Sequence, residues 1–209
     1  MNNYFISADK ITKTFGRRLV FRDLNFSFSC NGNWGIAGPN GSGKSTLAKI
    51  ISGIISPTKG KLIHKIDDTI ILDESIHKYI GFVSPYLVLY DEFTAEENLL
   101  HFAKIRGIIY NKEKVDSLLN EFLLYERRSD LLKSYSSGMK QRMKFIFALM
   151  HSPKLLILDE PTTNLDISGK DSVYKIINEE SATSIIIIAS NEQSDLAFCK
   201  EIIQLEDYK

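Results

Sequence analysis

The stretch Gly38-Pro39-Asn40-Gly41-Ser42-Gly43-Lys44-Ser45-Thr46 fits the pattern G-x-x-x-x-G-K-[ST], which is typical of a phosphate-binding loop between a strand and a helix. It follows an apolar strand predicted over residues 34–37 and precedes a helix predicted over residues 46–52. Glycines let such a loop turn its backbone N–H groups toward phosphate oxygens, and the helix N-terminus favours the same anion. We therefore expect Lys44 to reach the β- and γ-phosphates of a nucleotide, and the Ser45 hydroxyl to bind Mg²⁺.

Two carboxylates follow an apolar strand later in the chain. Residues 155–158 are Leu-Leu-Ile-Leu, and Asp159 and Glu160 come directly after them. In α/β sheets, ligands bind at the carboxyl ends of the strands. Alone, this pattern is typical of a solvated strand end, but downstream of a phosphate-binding loop it predicts a catalytic pair. Asp159 is expected to hold Mg²⁺, directly or through water, and Glu160 to act as general base on the attacking water.

Strands and helices alternate along most of the chain, which predicts an α/β fold with a mostly parallel sheet and flanking helices. Strands are predicted over residues 62–66, 155–158, 185–189 and 201–205, and helices over residues 46–52, 139–150 and 167–177. Residues 24–29 alternate between apolar and polar, which indicates a half-buried strand in an antiparallel β flank. Thr94 and Glu97 have capping-box spacing and open a helical region. The predicted organisation is a single domain over residues 1–209, with a P-loop core over about 1–85 and 137–209 and a helical subdomain over about 86–136.

Composition restricts the class of protein. The chain has 209 residues, of which 44% are hydrophobic, enough for a real core in one compact domain. Lys plus Arg and Asp plus Glu both number 26, so no net charge favours nucleic acid or an anionic membrane. Cys30 and Cys199 lack the spacing of a metal site and are expected to be reduced thiols of a cytosolic protein.

The sequence contains no segment expected to cross or enter a membrane. The N-terminal residues lack the basic and apolar regions of a signal peptide. The longest aliphatic run, residues 185–189, is far shorter than the roughly 20 residues that a spanning helix needs. We therefore expect a cytoplasmic protein whose contact with a membrane goes through a partner.

Four further segments, in the right order, carry a resemblance to a known family. Ser134-Tyr135-Ser136-Ser137-Gly138-Met139-Lys140-Gln141-Arg142 is similar to the ABC signature at the head of a helix, and residues 160–166, Glu-Pro-Thr-Thr-Asn-Leu-Asp, to the stretch that ends in the D-loop. Residues 11–16 resemble the start of such domains, with Phe15 where an aromatic stacks on adenine, and residues 93–99 the opening of their helical subdomain. Over essentially its whole length, the chain resembles an ATP-binding subunit of an ABC transporter.

This resemblance implies a mechanism and a set of partners. Two such subunits close head to tail around two ATP molecules, and Ser136, Ser137 and Gly138 of one face the γ-phosphate bound by the other. Asp166 belongs to the D-loop. The resemblance implies that the ligands are ATP and Mg²⁺ and that the activity is ATP hydrolysis. The implied partners are a second ABC ATPase subunit and transmembrane transporter subunits, and nucleic acid is not among them. The compact length also resembles the small haem-exporter and cytochrome-c-maturation types.

The sequence departs from the family pattern in three motifs. The signature, Tyr-Ser-Ser-Gly-Met, differs at its first, third and fifth positions, and Ser137 at the third replaces a glycine. Pro85 stands where a glutamine usually ends the Q-loop strand, which leaves Mg²⁺ coordination to water or to Ser84. Asn191 stands where a histidine usually follows Ser or Thr in the switch region. An amide can still donate to the γ-phosphate, but it cannot become a cation. Hydrolysis is therefore expected, at a rate that these positions could lower.

Some alternatives stay open at this stage. A mechanical or regulatory ABC ATPase without a transported solute, such as a cell-division or iron–sulfur assembly ATPase, is the second candidate. Lys140, Arg142 and Lys144 fit either a charged helix face or a set of phosphate and inter-subunit contacts. The apolar residues 86–90 fit either the core or a groove that receives a segment of a transmembrane subunit. The histidines share no ligand spacing and are expected to be structural or solvated.

Overall fold

The computed structural model of the chain describes residues 3–29 and 32–209. Cys30 lies outside the described residues, and Cys199 is a free thiol. The strands are β1 (Tyr4–Phe15), β2 (Arg18–Ser29), β3 (Gly32–Ala37), β4 (Lys59–Ile66), β5 (Thr69–Ile70), β6 (Ile80–Val83), β7 (Leu155–Asp159), β8 (Ile185–Ser190) and β9 (Glu201–Gln204). The α-helices are α1 (Lys44–Ile51), α2 (Ala95–Arg106), α3 (Lys112–Glu121), α4 (Ser137–Leu149), α5 (Ile167–Glu180) and α6 (Gln193–Leu196).

A parallel five-stranded sheet positions the predicted site. Its order is β6-β7-β8-β3-β9, with parallel pairing between each pair of neighbours. Ala37 at the end of β3 lies opposite Ser190 at the end of β8, and Asp159 at the end of β7 lies opposite Ala189. The phosphate-binding loop, the carboxylate pair and the switch region therefore leave the sheet side by side, at its carboxyl edge.

The predicted antiparallel flank is confirmed. A second sheet has the order β2-β1-β4-β5, with antiparallel pairing throughout. In β2, Leu24 and Phe28 are buried and Phe26 is half-buried, while Asn25 and Ser27 between them are exposed, as period-two alternation predicts. The strand β1, which ends in Phe15, brings that aromatic ring next to the phosphate-binding loop.

The alternation of side chains along buried strands divides the core between the two faces of the parallel sheet. Leu156 and Ile186 pack into the cluster that includes residues of α2, α3, α4 and α5. Leu155 and Ile185 pack into the cluster that includes α1 and the antiparallel sheet. Both faces of the sheet are thus covered, which explains why its strands are continuous apolar runs in the sequence.

Helix limits differ from the predictions by a few residues, for local reasons. The capping box of Thr94 and Glu97 is present at the start of α2. The helix α1 begins at Lys44 rather than residue 46, and α4 begins at Ser137 rather than residue 139, because Gly43 and Ser136 take the N-cap positions. None of the helices within the described ranges has the length and apolar character that a bilayer crossing needs.

Candidate nucleotide site

A cavity of about 790 Å³ opens at the carboxyl edge of the parallel sheet. Most of the predicted nucleotide-binding residues line it, together with side chains from the antiparallel sheet and the loop after β6. The lining residues are Phe15, Arg18, Val20, Asn40, Gly41, Gly43, Lys44, Ser45, Thr46, Lys49, Pro85, Tyr86, Glu160, Thr163, Asn191 and Glu192. Phe15, which is 53% exposed, presents a ring at the rim of the cavity that a planar base can stack on.

The glycines of the loop hold backbone shapes that other residues rarely adopt. Gly43 has φ +111°, and a Cβ there would lie 2.5 Å from Val20 Cγ1. Gly38 has φ +151°, and a Cβ there would lie 2.6 Å from Ser42 Oγ. The Ser42 amide donates to the Pro39 carbonyl at 3.0 Å and closes the turn. These contacts explain the glycine pattern by close packing as well as by the shape of the backbone.

Lys44 is buried at the centre of the site, with 6% of its surface exposed. Its ammonium group donates to the Gly38 carbonyl at 2.8 Å and to the Pro39 carbonyl at 3.4 Å. It also forms an ion pair with Glu160 Oε1 at 3.2 Å. The lysine is thus folded back over its own loop, and phosphate oxygens entering the loop would compete with Glu160 for it.

Asp159 has the chemistry of a divalent-cation ligand. It is fully buried, and its Oδ1 accepts a hydrogen bond from Ser45 Oγ at 3.0 Å, while its Oδ2 has no partner within the described part of the chain. Burial raises the pKa of Asp159, although the bond from Ser45 opposes that rise. A buried carboxylate with a free oxygen beside a serine hydroxyl fits Mg²⁺, which prefers oxygen ligands.

Glu160 occupies a strained position. It has φ +50°, a region that costs free energy for a residue with a side chain. Its amide donates to the Ala189 carbonyl at 2.8 Å, which ties the end of β7 to the end of β8. Glu160 follows directly after the end of β7, and it lines the cavity.

Asn191 lines the same cavity and lies directly after β8. Its Nδ2 donates to Asn40 Oδ1 at 3.4 Å, a long bond between two exposed side chains. The structure therefore brings the predicted switch residue next to the phosphate-binding loop, at the position from which an amide could contact a terminal phosphate.

Asp195 is a residue of the site that the sequence analysis missed. It is buried, and its carboxylate accepts hydrogen bonds from Ser190 Oγ at 2.7 Å, Tyr174 OH at 2.9 Å and Thr162 Oγ1 at 3.1 Å. Thr162 lies two residues after Glu160, and Ser190 immediately precedes Asn191. The carboxylate thus joins the segments that carry Glu160 and Asn191. A lone aspartate near the start of a short helix gave no sign of this role, because its partners are distant in sequence.

The predicted signature residues lie outside this cavity. Ser136 is exposed and caps α4, since its Oγ accepts a hydrogen bond from the Met139 amide at 3.2 Å. A Cβ on Gly138 would lie 3.1 Å from the Asn164 carbonyl, so this glycine allows close contact with the loop before α5. Asp166 is also exposed and caps α5 through the Gly169 amide at 2.8 Å. Within one copy of the chain, the signature does not meet the phosphate-binding loop.

The loop after β6 forms one wall of the cavity. Pro85 and Tyr86 line it, while Ser84 is buried and its Oγ accepts from the Tyr86 amide at 3.3 Å. The Ser84 hydroxyl therefore stabilises the loop itself. The ring of Tyr86 lies against Lys49 of α1, whose ammonium group is 5.1 Å from the ring centroid.

The basic residues that follow the signature have three different environments. Lys140 forms an ion pair with Asp91 at 2.6 Å, which agrees with a charged helix face. Arg142 donates to the Phe122 carbonyl at 3.1 Å. The interpretation of Lys144 as part of an exposed charged face is wrong, because only 8% of its surface is exposed. Its helix turns this position toward β6, where its ammonium group meets the carbonyls of Ser84 and Pro85.

Comparison with known proteins places these features in a family. Residues 21–163 match the family model described as ABC transporter. The chain is 30% identical over 207 residues, 97% of its length, to the linearmycin resistance ATP-binding protein LnrL of Bacillus subtilis. It is 36% identical, in an alignment of 184 positions that covers 84% of this chain, to the Nod factor export ATP-binding protein I of Bradyrhizobium diazoefficiens. The chain spans 66% and 58% of the lengths of these two relatives.

Solved structures agree with the sequence comparison. A structure described as the ATP-binding subunit of an ABC transporter superposes with a TM-score of 0.83 at 26% identity, and the match covers 96% of this chain and 86% of the other. The mixed arrangement of a parallel sheet, an antiparallel sheet and flanking helices is therefore the arrangement found in solved relatives.

Proposed function

The chain belongs to the family of ABC transporter ATP-binding proteins, and on that premise we propose that it binds and hydrolyses ATP to energise a membrane transporter. The observation that carries this proposal is the meeting of Lys44 and Glu160 in one cavity with the aromatic ring of Phe15 at its rim. The buried Asp159 lies directly behind this cavity, where it accepts a hydrogen bond from the lining residue Ser45. A phosphate-binding loop, a cation ligand, a base and a stacking surface are what a nucleotide hydrolase requires.

Each group in the cavity has a proposed role. The loop Gly38–Thr46 holds the phosphates through its N–H groups, and Lys44 offsets the charge of the β- and γ-phosphates. Glu160 accepts a proton from the attacking water, and Asn191 donates its amide to the γ-phosphate. Ser45 and Asp159 would hold Mg²⁺, which when bound offsets negative charge on the phosphate oxygens. Phe15 stacks on the base.

We propose that the complete site needs a second subunit. Ser136, Ser137 and Gly138 stand at the exposed N-terminus of α4, a 13-residue helix, and do not line the cavity of their own chain. A helix N-terminus attracts anions, so this end suits the γ-phosphate bound by the opposite subunit. The two subunits would then close around ATP and open after hydrolysis, and this movement would drive the conformational change of the transporter.

The surface beside the proposed helical subdomain, residues 86–136, suits a segment of a transmembrane partner. Residues 86–90 were expected to lie either in the core or in a groove for a transmembrane subunit. Leu89 is buried and fits the core, whereas Val88 is 86% exposed and fits the groove. A neighbouring apolar groove of about 420 Å³ is lined by Ile54, Phe102 and Ile105 among others. Exposed apolar surface of this kind supports attachment to a membrane protein and hence a peripheral position on the inner face of the membrane.

The test is affinity purification of the tagged chain from membranes, followed by ATP turnover of the recovered complex. We expect a protein with several spanning helices to co-purify and a Lys44→Met variant of the complex to lose turnover. Active protein that is recovered with no membrane subunit would favour the mechanical or regulatory alternative. A recovered complex with wild-type turnover in the Lys44→Met variant would refute the assignment of the site.

A further inference from the structure

We propose that Lys144 is a positioning residue that fixes the loop of residues 84–86 as a wall of the nucleotide cavity. Its ammonium group donates to the Ser84 carbonyl at 3.1 Å and to the Pro85 carbonyl at 2.9 Å. The inference rests on the proposed function in one respect, the identity of the cavity as the ATP site.

The burial of Lys144 is the first argument. A lysine ammonium is strongly hydrated, and a buried one is retained only where fixed acceptors replace the water. Both hydrogen bonds of Lys144 go to backbone carbonyls rather than to carboxylates, so the group is fitted to the path of this loop. Burial lowers the pKa of Lys144, which is the cost of that position.

The position of Pro85 is the second argument. A proline has no amide hydrogen and its side chain cannot donate, so this residue contributes only its carbonyl to hydrogen bonding. The Pro85 carbonyl is the one that Lys144 contacts at the shorter distance, 2.9 Å. The adjacent Ser84 carbonyl also accepts from the Leu87 amide at 3.2 Å. Lys144 therefore fixes the backbone at Pro85, the residue of this loop that cannot donate a hydrogen bond itself.

The elements that meet at this loop are the third argument. On one side, Lys49 of α1, the helix that follows the phosphate-binding loop, lies against the ring of Tyr86. On the other side stands Lys144, two turns along α4 from the signature residues that begin this helix. The loop of residues 84–86 thus contacts both α1, the helix that follows the phosphate-binding loop, and α4, the helix that begins with the signature. Displacement of α4 would act on the cavity wall through Lys144 directly.

The experiment compares the full-length wild type with Lys144→Met, Lys144→Gln and Lys144→Arg. Methionine keeps the unbranched apolar stem and loses every donor, glutamine keeps a neutral donor, and arginine keeps charge and donors. Lys175→Met is the matched control, because Lys175 is an exposed lysine that pairs with Glu121 on the surface. Two quantities are measured: hydrogen exchange of the Tyr86 and Leu87 amides in the nucleotide-free protein, and the dissociation constant of a fluorescent ATP analogue.

For Lys144→Met we expect faster exchange of both amides and a dissociation constant raised about threefold to tenfold, as loss of hydrogen bonds to a charged group implies. In Lys144→Arg, the amide exchange and the dissociation constant should both lie close to the wild-type values. In Lys175→Met, both should equal the wild-type values. A residue that only stabilises the fold would lower the melting temperature without changing affinity in the folded protein. If folded Lys144→Met has the same amide exchange and the same affinity as the wild type, the proposal is overturned. If Lys144→Met does not fold, Lys144→Gln is compared with the wild type in its place.

Failure of this inference can be told apart from failure of the proposed function. If the wild type itself binds no nucleotide, the proposed function fails, whereas the exchange of Tyr86 and Leu87 still reports on the anchor. If the wild type binds nucleotide and Lys144→Met is unchanged in both measurements, the positioning role fails and the ATP site stands.

Discussion

Replacing Glu160 by glutamine is expected to tighten nucleotide binding while it stops hydrolysis. Glu160 Oε1 lies 3.2 Å from the Lys44 ammonium group, which is also the group proposed to bind the phosphates. With an effective dielectric constant of about 20, the Coulomb attraction at that distance is roughly 5 kcal/mol before desolvation. Desolvation and the remaining contacts of Lys44 offset most of it, so the net value is about 1–2 kcal/mol. Phosphates must displace this contact.

Equilibrium titration with ADP isolates this effect, because ADP lacks the γ-phosphate that a carboxylate at position 160 would also repel. We expect Glu160→Gln to bind ADP about 5- to 30-fold more tightly than the wild type. Glu192→Gln is the matched control, since Glu192 is a carboxylate at the same cavity that pairs with Lys170 rather than Lys44. Turnover of Glu160→Gln should fall by at least about 100-fold if Glu160 is the base.

An ADP affinity of Glu160→Gln equal to that of the wild type would refute the competition between Glu160 and the phosphates for Lys44. An equal gain in Glu192→Gln would show that the general charge of the cavity, rather than this ion pair, sets the affinity. Unchanged turnover would remove Glu160 from the role of general base, whatever the binding data give.

Three further predictions concern the loop, the core and the switch. Gly43→Ala should lower the thermal stability and weaken ATP binding, because the added Cβ would lie 2.5 Å from Val20. Gly41→Ala should have a smaller effect, because Gly41 has φ +80° but no atom within 4 Å of an added Cβ. Melting temperatures and ATP titrations of the two variants test this difference. Burial lowers the pKa of His64 from 6.5 to about 4, so the unfolded chain takes up a proton first as the pH falls. Unfolding titrations should show that this group accounts for up to about 3 kcal/mol of the stability lost between these two pH values. His64→Gln should remove that share and leave the share of His151, whose pKa burial also lowers to about 4. Asn191→Ala should lower ATP turnover of the assembled complex more than ATP affinity; wild-type turnover in this variant would remove Asn191 from the switch role.

The parts of the fold that the sequence predicted are those with a local physical cause. The glycine-rich loop, the apolar strand before Asp159 and the capping box at Thr94 each specify their own backbone, and the structure places them as expected. Family resemblance added Phe15, whose place at the cavity depends on the pairing of β1 with β2, the next strand, and with β4, which is distant in sequence.

What the sequence did not predict depends on contacts between distant segments. Asp195 joins Thr162 and Ser190 only after β7 and β8 have paired, and no local pattern marks it. Lys144 follows Lys140 at helical spacing, which suggested one charged face. Packing of α4 against β6 instead buries Lys144, because tertiary contact overrides the pattern on a single helix.

Equilibrium binding of Mg²⁺–ATP to the wild type and to Lys44→Met measures whether the cavity around Lys44 is the ATP site. We expect saturable binding of one ATP per wild-type chain and loss of that binding in a Lys44→Met variant that is folded to the same degree. Equal affinity and stoichiometry in the two proteins would contradict the assignment of the cavity around Lys44 as the ATP site.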